Sequence, residues 1–393
     1  MTELNRYIAP ANKWIRWYQT IAILLVNTLV IFVVINLVFS FFLWFQNKRY
    51  GTDPVSAKYG SLVEQAYPGV GREVIRELLR ETWNRGYVYE PFTYFKERPF
   101  TGKYVNVDPH GFRVTKEQGP WPPDRNRDFV IFLFGGSTSF AYGLPDDQTV
   151  ASYLQESLWT QATKRRPRVY NFARGYYYSS QERIQYERLL ASDFVPDVAL
   201  FVDGLNEYYR PDDNPEFGDR LAPLLDRQST IRYSLLELIK GLPVIEAART
   251  INGLMRRPGS PPPGQKYDDP VVAHRIADRY MQNIRIIAAV STVYDVRPLF
   301  AWQPVPTYRS DPRTDPFSGE DQFGPAYAKY GYPVMLEYAQ HNKLGPDFVW
   351  CADIQEGIKE PLYVDKIHYS ARLSKMLAGC ISDSIVHRTL LEN

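Results

Sequence analysis

Hydrophobic and polar positions divide the chain into an uncharged N-terminal run and a long alternation of short apolar runs with helical patterns. From Thr20 to Phe45 no residue is charged. At about 1.5 Å per residue, a helix over this span exceeds a hydrocarbon core of about 30 Å. Trp14, Trp17 and Tyr18 stand at one end and Trp44 and Tyr50 at the other, as interfacial aromatics do. A cleaved signal peptide has a shorter apolar region ending in small residues, whereas this one ends Phe-Phe-Leu-Trp-Phe, so an uncleaved anchor is expected. Arg6, Lys13 and Arg16 precede it and Lys48, Arg49 and Lys58 follow, a near tie on orientation. Asn27 and Asn36 lie within the span on roughly opposite sides, each able to bond to a neighbouring helix.

Beyond the anchor, residues 46–104 read as a connector with an amphipathic helix around Gly71 to Arg85, followed by the turn-rich PFTGKYVNVDPHGFRVT. Then FVIFLFGG (Phe129 to Gly136) is a continuous apolar run closing on glycines, the pattern of a strand buried on both faces. Similar runs recur at Arg168 to Ala173, Asp197 to Gly204, Arg297 to Pro304 and Asp347 to Ile354. Helical spacing fills the intervals at Thr149 to Thr163, Gln181 to Ala191 and Val271 to Val293. Strands alternating with helices predict a parallel sheet covered on both faces. Arg210 to Pro270, with its proline-rich RRPGSPPPGQ, reads as an insertion: a lid, a partner surface or plain decoration. No internal repeat is evident.

Composition changes this picture little. The 393 residues are 45% hydrophobic and 15% aromatic, as in a globular chain. A net charge of +2 with no basic, aromatic-interleaved stretch argues against nucleic acid as a partner. The 29 tyrosines suit half-buried positions generally, and also ringed polar ligands such as sugars.

Candidate chemistry lies at the run ends, because ligands of open α/β sheets gather beyond the carboxyl ends of the strands. The first run ends Gly135-Gly136-Ser137-Thr138-Ser139. Two glycines permit a tight turn, placing the Ser137 hydroxyl at the mouth of a helix where backbone N–H groups face a developing oxyanion. Such a turn also serves plain geometry or phosphate binding, but the Lys of a phosphate-cradling loop is missing. The second run ends Asn171-Phe172-Ala173-Arg174-Gly175-Tyr176, a turn able to aim an N–H. In the third ending, Asp203-Gly204-Leu205-Asn206-Glu207, the Asn206 amide suits a second oxyanion donor; a turn-forming Asn is the other reading. After the last run comes Asp365-Lys366-Ile367-His368. An imidazole base needs a carboxylate to fix its tautomer and stabilise its cation, and this spacing lets one loop deliver both. Alone, Asp-x-x-His is as readily a capping or surface pair.

In this order the motifs resemble the SGNH (GDSL-type) hydrolase family, over about Val105 to Ile381, together with the flanking phrases NVDPHGFR, PDDQTVASYL and WQPVP. The resemblance implies a flavodoxin-like three-layer α/β/α sandwich with a parallel sheet of about five strands, preceded here by one transmembrane helix. Residues 1–19 would be cytoplasmic, 20–45 the span and 105–393 the hydrolase-like domain. It implies Ser137 as nucleophile, His368 as general base and Asp365 as its orienting acid, with Asn206, the Ser137 N–H and a backbone N–H of Gly175 or Tyr176 in the oxyanion hole. Gly-Asp-Ser-Leu becomes Gly-Gly-Ser-Thr here, as in a branch of bacterial members, and the lost Asp is not the triad acid. In the second block Tyr176 stands where the family's oxyanion Gly lies, with Gly175 one place early, so the turn depends on dihedrals that Tyr tolerates poorly.

Cys351 and Cys380 bracket the Asp365/His368 loop. Two reduced core cysteines are one reading. The anchor and the resemblance place them on an oxidising side, implying a disulfide worth roughly 3 to 4 kcal/mol. No cluster of ligating residues has metal spacing, and neither metal nor cofactor is expected. The expected protein is a serine esterase or acyltransferase of the bacterial inner membrane, facing the periplasm. It would act on O-acyl groups of an envelope polysaccharide or lipid-linked glycan, a reading prompted by Tyr176, Tyr177, Tyr178, Tyr208, Tyr209 and Trp302 near the motifs. The alternative is a non-catalytic subunit of a membrane protein complex that keeps the scaffold, motivated by the second block, the intramembrane asparagines and the insertion.

Overall fold

A computed structural model of the chain describes residues 8–50, 53–161, 164–218, 221, 236, 238–248, 268–317 and 323–391. The chain separates into two units, Met1–Gly51 with Ala222–Arg257, and Thr52–Leu221 with Pro258–Asn393. In the first unit, α1 (Ile8–Tyr50) contains a stretch, Lys13–Phe45, long and apolar enough to cross a membrane. Its described side chains are largely bare of protein contacts, as a lipid-facing surface is. Thr20, Thr28 and Asn36 donate back to carbonyls one turn earlier, satisfying their polar groups within the helix. The other end of the Asn36 amide accepts from the Val244 N–H at 3.4 Å, so this asparagine meets part of the insertion. The rest of the 210–270 insertion lies largely outside the described residues.

In the second unit the apolar runs form β5 (Asp128–Gly135), β6 (Arg166–Asn171), β7 (Val198–Asp203), β8 (Arg297–Trp302) and β9 (Phe348–Trp350). They make a five-stranded sheet in the order β6-β5-β7-β8-β9, parallel throughout. This is the flavodoxin-like order, with its reversal at β5/β7 opening a crevice beyond the strand ends. Strand periodicity sends alternate residues to opposite layers. Ile131 and Leu133 pack with Leu154 and Leu158 of α5 (Val150–Trp159) and Leu377 and Ile381 of α10 (Ala371–His387). Val130, Phe132 and Phe134 pack with Tyr186 and Leu190 of α6 (Ser179–Ala191) and Tyr280 and Ile284 of α8 (Pro270–Val293). Each such side chain contributes about 1.5–3 kcal/mol on burial, which is what fixes the register.

Residues 53–97 differ from the expected connector. They fold as part of the sheet-bearing unit. The amphipathic helix is α3 (Arg72–Trp83), which buries Ile75, Leu78 and Leu79 against the core of the α5/α10 side. It is preceded by the short α2 (Pro54–Tyr59) and followed by an antiparallel hairpin of β1 (Tyr87–Glu90) and β2 (Tyr94–Glu97) and by the two-residue strands β3 (Phe100–Thr101) and β4 (Asn106–Val107); the short α7 (Leu205–Tyr209) follows β7. A helix the pattern did not reveal, α9 (Phe323–Gln340), carries Pro333 in its interior, and Gly331 there lets Tyr208 approach closely.

Candidate active site

The strands deliver their C-terminal loops to one edge of the sheet. β5 runs into Gly135-Gly136 and then into the single-turn helix α4 (Ser137–Phe140). A Cβ at Gly136 would collide with the Asn206 amide, so glycine here serves close approach. His368 stands just before α10, whose first turn is capped by Ser370. His368 Nε2 lies 2.9 Å from Ser137 Oγ, and its Nδ1 lies 2.6 Å from Asp365 Oδ2. The other carboxylate oxygen accepts the N–H groups of Ile367 at 2.9 Å and His368 at 2.8 Å. Burial alone would raise the Asp365 carboxyl. Attraction to His368, its hydrogen bond and the two backbone donors outweigh that and hold it below the ordinary carboxylate range. Asp365 and His368 are buried, and Ser137 keeps 9% of its surface exposed. The Tyr142 ring stacks on the imidazole at 5.3 Å and 18°, while Trp83 meets it edge-on at 5.5 Å.

The turn carrying Ser137 is held from several directions. Arg113, from the phrase HGFR, is fully buried and donates to the Phe140 and Ala141 carbonyls at 2.6 and 2.7 Å, pairing with Asp146 at 3.1 Å. Asn171 donates to the Ser139 carbonyl at 3.0 Å. Gln303, from WQPVP, accepts from the Thr138 hydroxyl at 2.6 Å and from the Tyr369 hydroxyl at 2.8 Å. It thereby links the residue after Ser137 to the residue after His368. The flanking phrases thus act as braces of the site.

On the oxyanion side one expectation is corrected. The Gly175 N–H donates to Glu97 Oε1 at 3.0 Å, so it is not free to serve an oxyanion. Glycine is needed at 175 because a Cβ would lie 2.6 Å from the hydroxyls of both Tyr142 and Tyr87. Tyr176 takes the left-handed conformation, φ 65°, at a cost of about 1–2 kcal/mol for a residue with a Cβ. Asn206 spends one amide proton on the Tyr177 carbonyl at 2.6 Å and keeps the other. The N–H of Ser137, first in its helix, has no intrahelical acceptor.

The hairpin supplies what the motifs did not indicate. Arg174 pairs with Glu90 and reaches the Tyr177 hydroxyl at 2.9 Å, and that hydroxyl donates to the Phe95 carbonyl. Trp83, Arg85, Tyr87 and Glu97 all border the site or its second block. The aromatics read as sugar-facing are corrected as well. Tyr177, Tyr178, Tyr208 and Trp302 are buried in the core, Tyr209 is half-buried, and Tyr176 alone of the six is exposed, at 42%. Cys351, just after β9, is bonded to Cys380 of α10, tying the helix that follows His368 to the sheet edge. Among the described residues no group of three or more His, Cys, Asp or Glu is arranged to hold a metal.

No family model and no curated protein matches the chain. Among solved structures it is similar to a carbohydrate acetylesterase from Sinorhizobium meliloti, at 14% identity, 66% coverage of this chain and 99% of that one, and a TM-score of 0.36. It is similar to an acetylxylan esterase from Geobacillus stearothermophilus (13%, 66% and 94%, 0.37). A member of the lipolytic protein G-D-S-L family from Veillonella parvula also matches (9%, 65% and 98%, 0.36). At such distances the function rests on this chain's own residues.

Proposed function

We propose that the protein is a membrane-anchored serine esterase or acyltransferase working through an acyl-Ser137 intermediate. The observation that carries this reading is the continuous relay from Ser137 Oγ through His368 to Asp365, at 2.9 and 2.6 Å, at the carboxyl ends of the parallel strands. Ser137 Oγ attacks the ester carbonyl carbon as His368 Nε2 takes its proton. The oxyanion is met by the N–H groups of Ser137 and Tyr176 and by the remaining proton of Asn206 Nδ2. Collapse of the tetrahedral intermediate breaks the ester C–O bond, and the leaving alkoxide takes the proton from His368. Water or an acceptor hydroxyl then repeats the sequence on the acyl-enzyme.

A short acyl group on a carbohydrate of the cell envelope is the substrate this reading favours. Ser137 is almost enclosed, and the exposed Tyr176 ring, edge-on to Tyr87, offers a flat face to a sugar. The Cys351–Cys380 bond suits an oxidising compartment, and with α1 it supports placement at the periplasmic face of a bacterial inner membrane. Hydrolysis of p-nitrophenyl acetate tests the reading. Ser137→Ala is expected to abolish turnover with its melting transition intact; undiminished turnover in that variant would contradict it.

A further inference from the structure

The Glu97 carboxylate joins the two halves of the site. Its Oε1 accepts the Gly175 N–H at 3.0 Å and the Tyr142 hydroxyl at 2.8 Å; its Oε2 accepts Arg85 at 3.1 Å. The Gly175 bond holds the oxyanion turn, and the Tyr142 ring lies on the His368 imidazole. The Tyr87 hydroxyl, 2.8 Å from that of Tyr142, closes the cluster. Arg85 in turn donates to the Glu81 and Thr82 carbonyls at the end of α3 and lies over the Phe140 ring at 4.5 Å.

Resting on the hydrolase reading above, we propose that Glu97, held by Arg85, is the positioning residue that couples the general base to the oxyanion turn and leaves Tyr176, not Gly175, as the turn's free N–H donor. The reason is what a buried ion pair does and does not do. The Arg85 and Glu97 side chains are 1% and 2% exposed. Pairs so buried add little net stability over apolar residues of similar volume. An apolar pair, however, cannot accept two hydrogen bonds. Losing the acceptor leaves the buried Gly175 N–H unpaired and the Tyr142 hydroxyl with Tyr87 alone beside it. The peptide before Tyr176 then loses its anchor while the ring against His368 loses one of its two tethers. A displacement of about 1 Å in such groups costs about 100-fold in rate.

The test is the paired variant Arg85→Met/Glu97→Leu, which removes both charges at once, beside Glu97→Gln, which keeps an acceptor oxygen. Fluorophosphonate titration counts competent sites, so kcat is expressed per site. The expected result for the paired variant is a cooperative melt, kcat per site about 100-fold lower and KM within threefold of wild type. Glu97→Gln is expected to retain at least a tenth of wild-type kcat. A folded paired variant with kcat per site within threefold of wild type would overturn the proposal, since a merely structural role lowers the count of sites and not their rate. If the pair does not fold, Tyr142→Phe decides one arm: a fivefold or greater loss of kcat is expected, and an unchanged kcat overturns the coupling. Hydrogen exchange at the Gly175 amide reads the same link without turnover. Protection lost on removing the acceptor supports the proposal, and protection retained in the folded variant contradicts it. Absence of turnover in the wild type counts against the hydrolase reading alone.

Discussion

Asp365 holds a negative charge where burial alone would neutralise it, and it does so by spending both oxygens on His368 and its own loop. In the proposed mechanism its role is to fix the imidazole tautomer. Asp365→Asn, similar in shape but wrong in donor sense, is therefore expected to lower kcat by about 10⁴ with little change in melting temperature; steady-state kinetics beside a thermal melt check it. Asp315 shows the opposite balance. Burial pushes its carboxyl up to about 6, against a bond from the Phe317 N–H, and the charge of Asp365 adds to the rise. Between about pH 4 and 6 the folded chain then binds more protons than the unfolded one, so stability falls as pH rises through that window. Asp315→Asn is expected to stabilise by on the order of 2 kcal/mol at pH 7.5 and by nothing at pH 4. Equal effects at both pH values in denaturant melts would contradict this. Ser137, Asn206, Asp365 and His368 were legible in the sequence because each sits in a short motif at a strand or helix end. Glu97 was not. Its partner Gly175 is 78 residues away, and no local spacing marks a carboxylate whose donors gather only in the folded chain.

At the scale of elements, the parallel strands were readable because burial on both faces leaves an unbroken apolar run, with ends shifted by a residue or two except at β9, which stops at Trp350, four residues before the expected Ile354. The β1–β2 hairpin left no such trace. Its strands have four residues each and mix Tyr, Phe, Lys and Glu, so they read as a polar connector until their partners in the second block are seen. Pro333 hid α9 in the same way, by breaking a helical pattern that tertiary packing tolerates. The Cys351–Cys380 bond, spanning 29 positions, encloses the Asp365/His368 loop. Replacing both cysteines by serine is expected to lower unfolding free energy by roughly 3 to 4 kcal/mol, with kcat per folded molecule unchanged. A shift in the urea midpoint reads the first part and site-titrated kinetics the second.

For the whole molecule, the apolar stretch of α1 was the most legible feature, since the uncharged run from Thr20 to Phe45 suffices to predict a helix long enough to cross a membrane. The protein is expected to stay with the membrane pellet after alkaline carbonate extraction; release into the supernatant would contradict the anchor. The motifs that suggested chemistry, from Ser137 to His368, and the residues that brace them, Glu97, Arg113 and Gln303, are interleaved along the second unit. In the proposed function both serve one reactive serine. Treating the full-length protein with a fluorophosphonate and locating the adduct by mass spectrometry reads its position. One phosphonyl group per chain on Ser137, lost in Ser137→Ala, is the predicted result. A folded protein that takes no label, or takes it at another residue, would contradict the account.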